Sequence, residues 1–92
     1  MRVTQVDVTK ASGREQGMGL LAYLVVTLDD QLILDGVTLR RTSDGRSTLS
    51  FPERRGRHGR KHPTVRPVDA ESRASFQLQV LDIIRQQGVF FP

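Results

Sequence analysis

From Glu53 to His62 the chain reads ERRGRHGRKH, ten residues without one aliphatic side chain. A stretch like this has nothing to bury, so it cannot cross a core and is expected to run over the surface as an exposed, mobile loop. It separates an N-terminal part with strand patterning from a C-terminal part with helix patterning. Fold solutions are thereby limited to strands packed among themselves and covered by whatever follows the loop. At 92 residues the chain makes one domain, 1–92, because single cores rarely divide below about 150 residues. Such a short chain buries a modest share of its surface, and a subunit interface would add to it.

Before the loop, Val3, Val6 and Val8 mark a first strand over residues 2–9. The segment Lys10–Gly19 (KASGREQGMG) breaks that pattern with three glycines and reads as a flexible hairpin loop. Leu20–Leu28 is a continuous apolar run, short and β-branched, which predicts a buried central strand. Asp29-Asp30 signals a tight turn, and Gln31–Arg41 forms the next strand with Leu32, Leu34, Val37 and Leu39 as its apolar points. The alternation slips at Asp35-Gly36, where an extra residue in a β-bulge restores the inward phase. Thr42-Ser43-Asp44-Gly45 is a turn. Ser47–Phe51 follows as a short strand with Leu49 and Phe51 on one face, and Pro52 ends it.

After the loop, residues 63–68 (PTVRPV) allow at most a short edge strand, given two prolines. Asp69 then reads as a helix N-cap with Glu71 and Ser72 in the first turn. Phe76, Val80, Ile83 and Ile84 recur at helical spacing, Leu81 widens the stripe, and Ser75, Gln79, Asp82 and Arg85 face away. Gly88 caps the C-terminus. The tail Val89–Pro92 is apolar and costly to expose, so it is expected to pack on this domain or a partner. The fold class is α+β: an antiparallel sheet of four or five strands with one C-terminal α-helix packed on it.

Charge supplies the functional signal. Between Arg40 and Arg66 stand nine basic residues against Asp44 and Glu53, a net +7, while the rest of the chain carries −3. That asymmetry is the footprint of a surface that meets a polyanion. No cysteine is present, which excludes disulfide and thiol chemistry. No apolar run approaches the roughly 20 residues that span a bilayer, and MRVTQVDVTK has no signal-peptide core. The cytoplasm is the expected location.

Thr27-Leu28-Asp29-Asp30, an apolar strand reaching Asp35, and Asp44-Gly45 together resemble the SpoVG family. So do Phe51-Pro52-Glu53-Arg54-Arg55, Pro67-Val68 before the helix, and the opening Val3-Thr4-Gln5-Val6. The similarity runs from about residue 1 to residue 87 in order and spacing. The chain departs from the family pattern at Arg66, where a histidine usually precedes the proline, in the detail of its helix, and in its tail. The helix bears on sequence preference in that family, so no target sequence carries over. The resemblance implies a compact homodimer that binds DNA, and in some members RNA, site-selectively. It also implies a regulatory role linked to septation, sporulation or gene expression.

The candidate phosphate-binding residues are Arg54, Arg55, Arg57, Arg60 and Lys61, spaced by Gly56 and Gly59. Arginine presents a planar fork that fits phosphate, and glycine lets backbone follow a groove. The competing reading is a solvated run that maintains solubility, against which stand its density and lack of opposing charge. Arg40, Arg41 and Arg66 extend the patch if the fold brings them near; otherwise Arg40 and Arg41 are ordinary edge-strand charge. His58 and His62 are four apart, but Gly59 and Pro63 argue against the helix a metal pair would need, and no metal is expected. Asp29, Asp30 and Asp35 are explained by a turn and a bulge rather than by acid–base chemistry. No nucleophile elbow, P-loop or dinucleotide motif accompanies them, so neither enzyme activity, cofactor, small-molecule substrate nor membrane partner is expected. Phe51, the one aromatic residue adjoining the loop, points inward with Leu49, which disfavours base stacking. The alternative is a protein-interaction module whose basic loop docks on an acidic cell-division or signalling partner.

Overall fold

Alternation of buried and exposed residues, interrupted at three register shifts, builds the main sheet. The computed structural model describes residues 1–91. Strands β1 (Val3–Lys10), β2 (Leu20–Leu28), β3 (Leu32–Arg41) and β4 (Ser47–Ser50) pair antiparallel in the order β1-β2-β3-β4. A short helix α1 (Gly13–Gly17) links β1 to β2. Strands β5 (Glu53–Arg55) and β6 (Lys61–Pro63) form a second, two-stranded sheet, and helix α2 (Ala70–Gln86) follows. The fold is therefore α+β as expected, with four strands in the main sheet and two more outside it.

In β2, Ala22, Leu24, Val26 and Leu28 are buried together with Val3 and Val6 of β1, Leu34, Val37 and Leu39 of β3, and Leu49 of β4. The slip at Asp35-Gly36 is a bulge: Leu24 pairs with Val37 and Val26 with Leu34, so two residues of β3 oppose Val25. Gly36 has φ +84°, and a Cβ there would sit 3.2 Å from Cβ of Pro52, so this position favours glycine doubly. A second irregularity between Leu20 and Ala22 lets Leu21 and Ala22 be buried consecutively. Leu32 was expected among the inward points of β3, yet it is 61 % exposed. It opens the strand just after the Asp29-Asp30 turn, as the end partner of Leu28 in the ladder. Both aspartates of that turn take left-handed backbone, a conformation that short polar side chains tolerate. Asp29 accepts a hydrogen bond from the Arg2 N–H at 2.8 Å.

Helix α2 lays Phe76, Val80 and Ile84 into the sheet, with Leu81 and Ile83 partly buried alongside. Asp69 caps its first turn by accepting from the Ser72 N–H at 2.7 Å. At the other end Gly88 (φ +74°) follows the cap residue Gln87, and the Gly88 and Val89 N–H groups return to the Arg85 and Ile84 carbonyls. That pattern is a Schellman stop. Gln79 does not face away as expected: its Oε1 accepts from the Val3 N–H at 2.9 Å. Gln87 donates to the Val6 carbonyl, Gln77 to that of Ser47 and Arg73 to that of Leu49. Side chains of α2 thus occupy backbone groups on both edge strands, β1 and β4, where an open sheet otherwise invites further pairing.

Three more expectations change. Lys10–Gly19 is not a featureless loop, because Ser12 and Glu15 make a reciprocal capping box that starts α1. The Glu53–His62 stretch is exposed as expected but folds as a hairpin, and the strand after it ends at Pro63 rather than running to residue 68. In the tail, Val89 and Phe91 pack on the core whereas Phe90 is 69 % exposed. Pro92 lies outside the described residues. No helix among the described residues is long and apolar enough to cross a membrane.

Candidate nucleic-acid interface

A basic arm leaves the body where β4 ends. Phe51 anchors its root, with its ring 5.4 Å from that of Phe76 and the Arg73 guanidinium 5.5 Å from its centroid. The Pro52 carbonyl then accepts from both the N–H and the hydroxyl of Thr64, at 2.9 and 3.0 Å, closing the base. Within the arm Glu53 pairs with Pro63, Arg54 with His62 and Arg55 with Lys61. The Gly56 N–H reaches the Arg60 carbonyl at 2.7 Å. His58 (φ 65°) and Gly59 (φ 73°) make the reversal at the tip. A Cβ on Gly56 would lie 2.6 Å from Cδ2 of His62, so the imidazole occupies the space a side chain there would need.

Cross-strand partners project to one face of an antiparallel pair. Arg54, Arg60 and His62 therefore share one face of the arm, over Gly56. Arg55 and Lys61 share the other with Glu53, and Arg57 and His58 stand at the tip. All of these side chains are exposed. Among the described residues the ion pairs are Arg46–Asp44 at 3.5 Å and Arg85–Asp82 at 3.4 Å, and no cation of the arm takes part in either. Five cations therefore face solvent with Glu53 as the arm's single carboxylate.

Of the other basic candidates, Arg66 lies at the root of the arm, around a hollow shared with Glu53, Pro63 and Arg73. Arg40 and Arg41 do not join it. They pair with Thr48 and Ser47 at the far end of the β3–β4 ladder, about 16 Å along the chain from Glu53 at roughly 3.3 Å per residue. Arg40 lies toward Tyr23, whose hydroxyl donates to Glu15. That bond holds the Glu15 carboxyl below its ordinary range and pushes the Tyr23 hydroxyl above its own. Arg41 instead lines a hollow of about 350 Å³ with Arg46, Arg85 and the tail. Arg46 and Arg85 are already paired, and the Thr42 hydroxyl, followed by the Arg46 N–H, holds Asp44 low. Sequence patterning does not single out Arg73, because its contacts with Phe51 and the β4 edge depend on where the helix comes to rest.

The acidic residues weighed as a catalytic pair have local duties. Asp29 serves the β2–β3 turn, and Asp35 accepts from the Gly36 N–H inside the bulge. Among the described residues, no three of the His, Cys, Asp and Glu side chains gather as metal ligands would.

Fold and surface define a class: a small α+β protein in which a helix covers one face of an antiparallel sheet and a two-stranded basic arm projects beyond it. The chain belongs to the SpoVG family, whose model matches residues 1–86. It is 29 % identical over 80 residues to a protein of Borreliella burgdorferi named "Putative septation protein SpoVG", covering 87 % of this chain and 81 % of the relative. A protein of the same name from Borrelia hermsii is 31 % identical over 77 residues, covering 84 % and 79 % of the two chains.

Proposed function

We propose that this protein is a non-enzymatic regulator that binds nucleic acid, DNA foremost, through the arm, and that it acts as a homodimer in the cytoplasm. The observation that carries the reading is the set of cations Arg54, Arg55, Arg57, Arg60 and Lys61, without ion-pair partners among the described residues, on a stretch from Glu53 to His62 with no aliphatic side chain. Each phosphate they neutralise releases condensed counterions, which supplies affinity independent of base sequence. Arg66 adds charge at the root. For the dimer, Met1, Val65 and Val68 are 75 %, 41 % and 88 % exposed around an apolar hollow of about 280 Å³ that reaches Phe51 and Phe76. A second copy covering it would remove that surface from water.

The test is binding of a labelled duplex pool at low salt. Arg54→Ala combined with Arg55→Ala weakens binding to every sequence in the pool; wild-type affinity in that variant refutes the assignment. A second reading draws on the relatives' septation name: the arm docks on an acidic division protein. A preparation free of co-purifying nucleic acid that never shifts a duplex favours that reading over the first.

A further inference from the structure

We infer that the arm enters the major groove of B-form DNA tip first, with one cationic face toward each phosphate wall; this rests on the nucleic-acid reading above. The distribution of charge over the ribbon carries the inference. A ribbon lying flat on a polyanion needs cations on one face only, yet here they are split two and two. Arg54 and Arg60 stand on one face, and Arg55 and Lys61 on the other. Arg57 sits at the tip beside the His58-Gly59 reversal. Beyond the root, where Glu53 and Pro63 border a hollow with Phe51 and Arg73, the cationic side chains of both faces are exposed. Both faces are open to a partner, and a partner that satisfies both must present negative charge on two opposing walls.

A duplex groove has that form, whereas a single strand or a convex acidic protein surface does not. Dimensions then choose the groove. The major groove is about 12 Å wide and admits a two-stranded ribbon, while the minor groove is about 6 Å wide. From Glu53 to Arg57 the ribbon extends at most about 13 Å at roughly 3.3 Å per residue, beyond the major-groove depth of about 8.5 Å. Arg57 therefore reaches the base edges while the root stays outside with Arg66. Arginine at base edges pairs best with the O6 and N7 acceptors of guanine, so the tip favours guanine. The major groove of an A-form RNA duplex is too narrow for side chains to read, which makes DNA the preferred duplex.

The experiment compares two face variants of the full chain on one labelled DNA duplex at 0.1 M salt. Arg54→Ala with Arg60→Ala strips one face, and Arg55→Ala with Lys61→Ala strips the other. With about 0.9 counterions released per phosphate, each pair is expected to lose affinity by about 60-fold and to a similar extent. Methyl green, a major-groove ligand, is expected to displace the protein, and netropsin, a minor-groove ligand, is not. An RNA duplex of matching sequence is expected to bind at least tenfold more weakly. One face variant binding like wild type, displacement by netropsin alone, or equal affinity for the RNA duplex each overturns groove entry while leaving nucleic-acid binding intact. A duplex that wild type fails to bind, or that both face variants bind like wild type, overturns the nucleic-acid reading itself.

Discussion

The steepness of the salt dependence follows from the number of arm cations. Five unpaired cations per arm, each neutralising one phosphate, give a slope of log affinity against log salt of about −4.5, at about 0.9 per contact. Between 50 and 200 mM salt the affinity of one engaged arm then falls about 500-fold. Removing Arg54 and Arg55 leaves three contacts, a slope near −2.7 and a fall of about 40-fold over the same range. Two arms engaged at once in a dimer would double both slopes and leave their ratio unchanged. Fluorescence anisotropy on a labelled duplex at four salt concentrations and one fixed pH reads these values directly. A wild-type slope shallower than about −2, or a slope that the double substitution leaves unaltered, refutes the claim that the arm's cations make the phosphate contacts.

Other expectations concern the scaffold. Phe76→Ala, which deletes a buried ring 3 % exposed and packed at a tilt against Phe51, should cost about 3–5 kcal/mol in urea unfolding; a loss below about 1 kcal/mol contradicts the packing described. Gly36→Ala places a Cβ at φ +84° and 3.2 Å from Pro52, so a loss of about 1–2 kcal/mol or more is expected, against no change if the bulge is absent. The Ser72 N–H, with the Ser72 hydroxyl second, holds the Asp69 carboxyl below its ordinary value. Its contribution is therefore complete above the unfolded carboxylate range and is lost as pH falls through the folded value. Asp69→Asn should accordingly flatten the acid limb of stability against pH, and an identical limb in both proteins would remove the cap from the account. Light scattering at micromolar concentration should report twice the 10.3 kDa chain mass, reduced by Val68→Glu; a wild-type species of single-chain mass removes the dimer.

Local chemistry was legible where neighbouring residues decide the outcome. The Leu20–Leu28 strand, the Asp29-Asp30 turn, the Gly36 bulge and the Asp69 cap all follow from short windows. Helix α1 had its signal too, in Ser12 and Glu15 three apart, but the surrounding glycines read more strongly as a loop. The arm was recognisable as exposed and basic. Its strand pairing was not, because order there comes from a tip reversal and the Thr64–Pro52 closure rather than from apolar alternation. The contacts of Gln77, Gln79, Gln87 and Arg73 with the sheet edges depend on the lateral placement of α2, which periodicity does not encode. In the same way Arg40 and Arg41 are near the arm in sequence but at the opposite end of the ladder in space.

An NMR titration of the ¹⁵N-labelled chain with a short DNA duplex tests the central claim most directly. The largest and earliest shifts are expected in the amides of residues 53–63 and the guanidinium groups of Arg54, Arg55, Arg57 and Arg60. Shifts confined to the hollow around Arg41, Arg46 and Arg85, with the arm's signals unmoved, would contradict it.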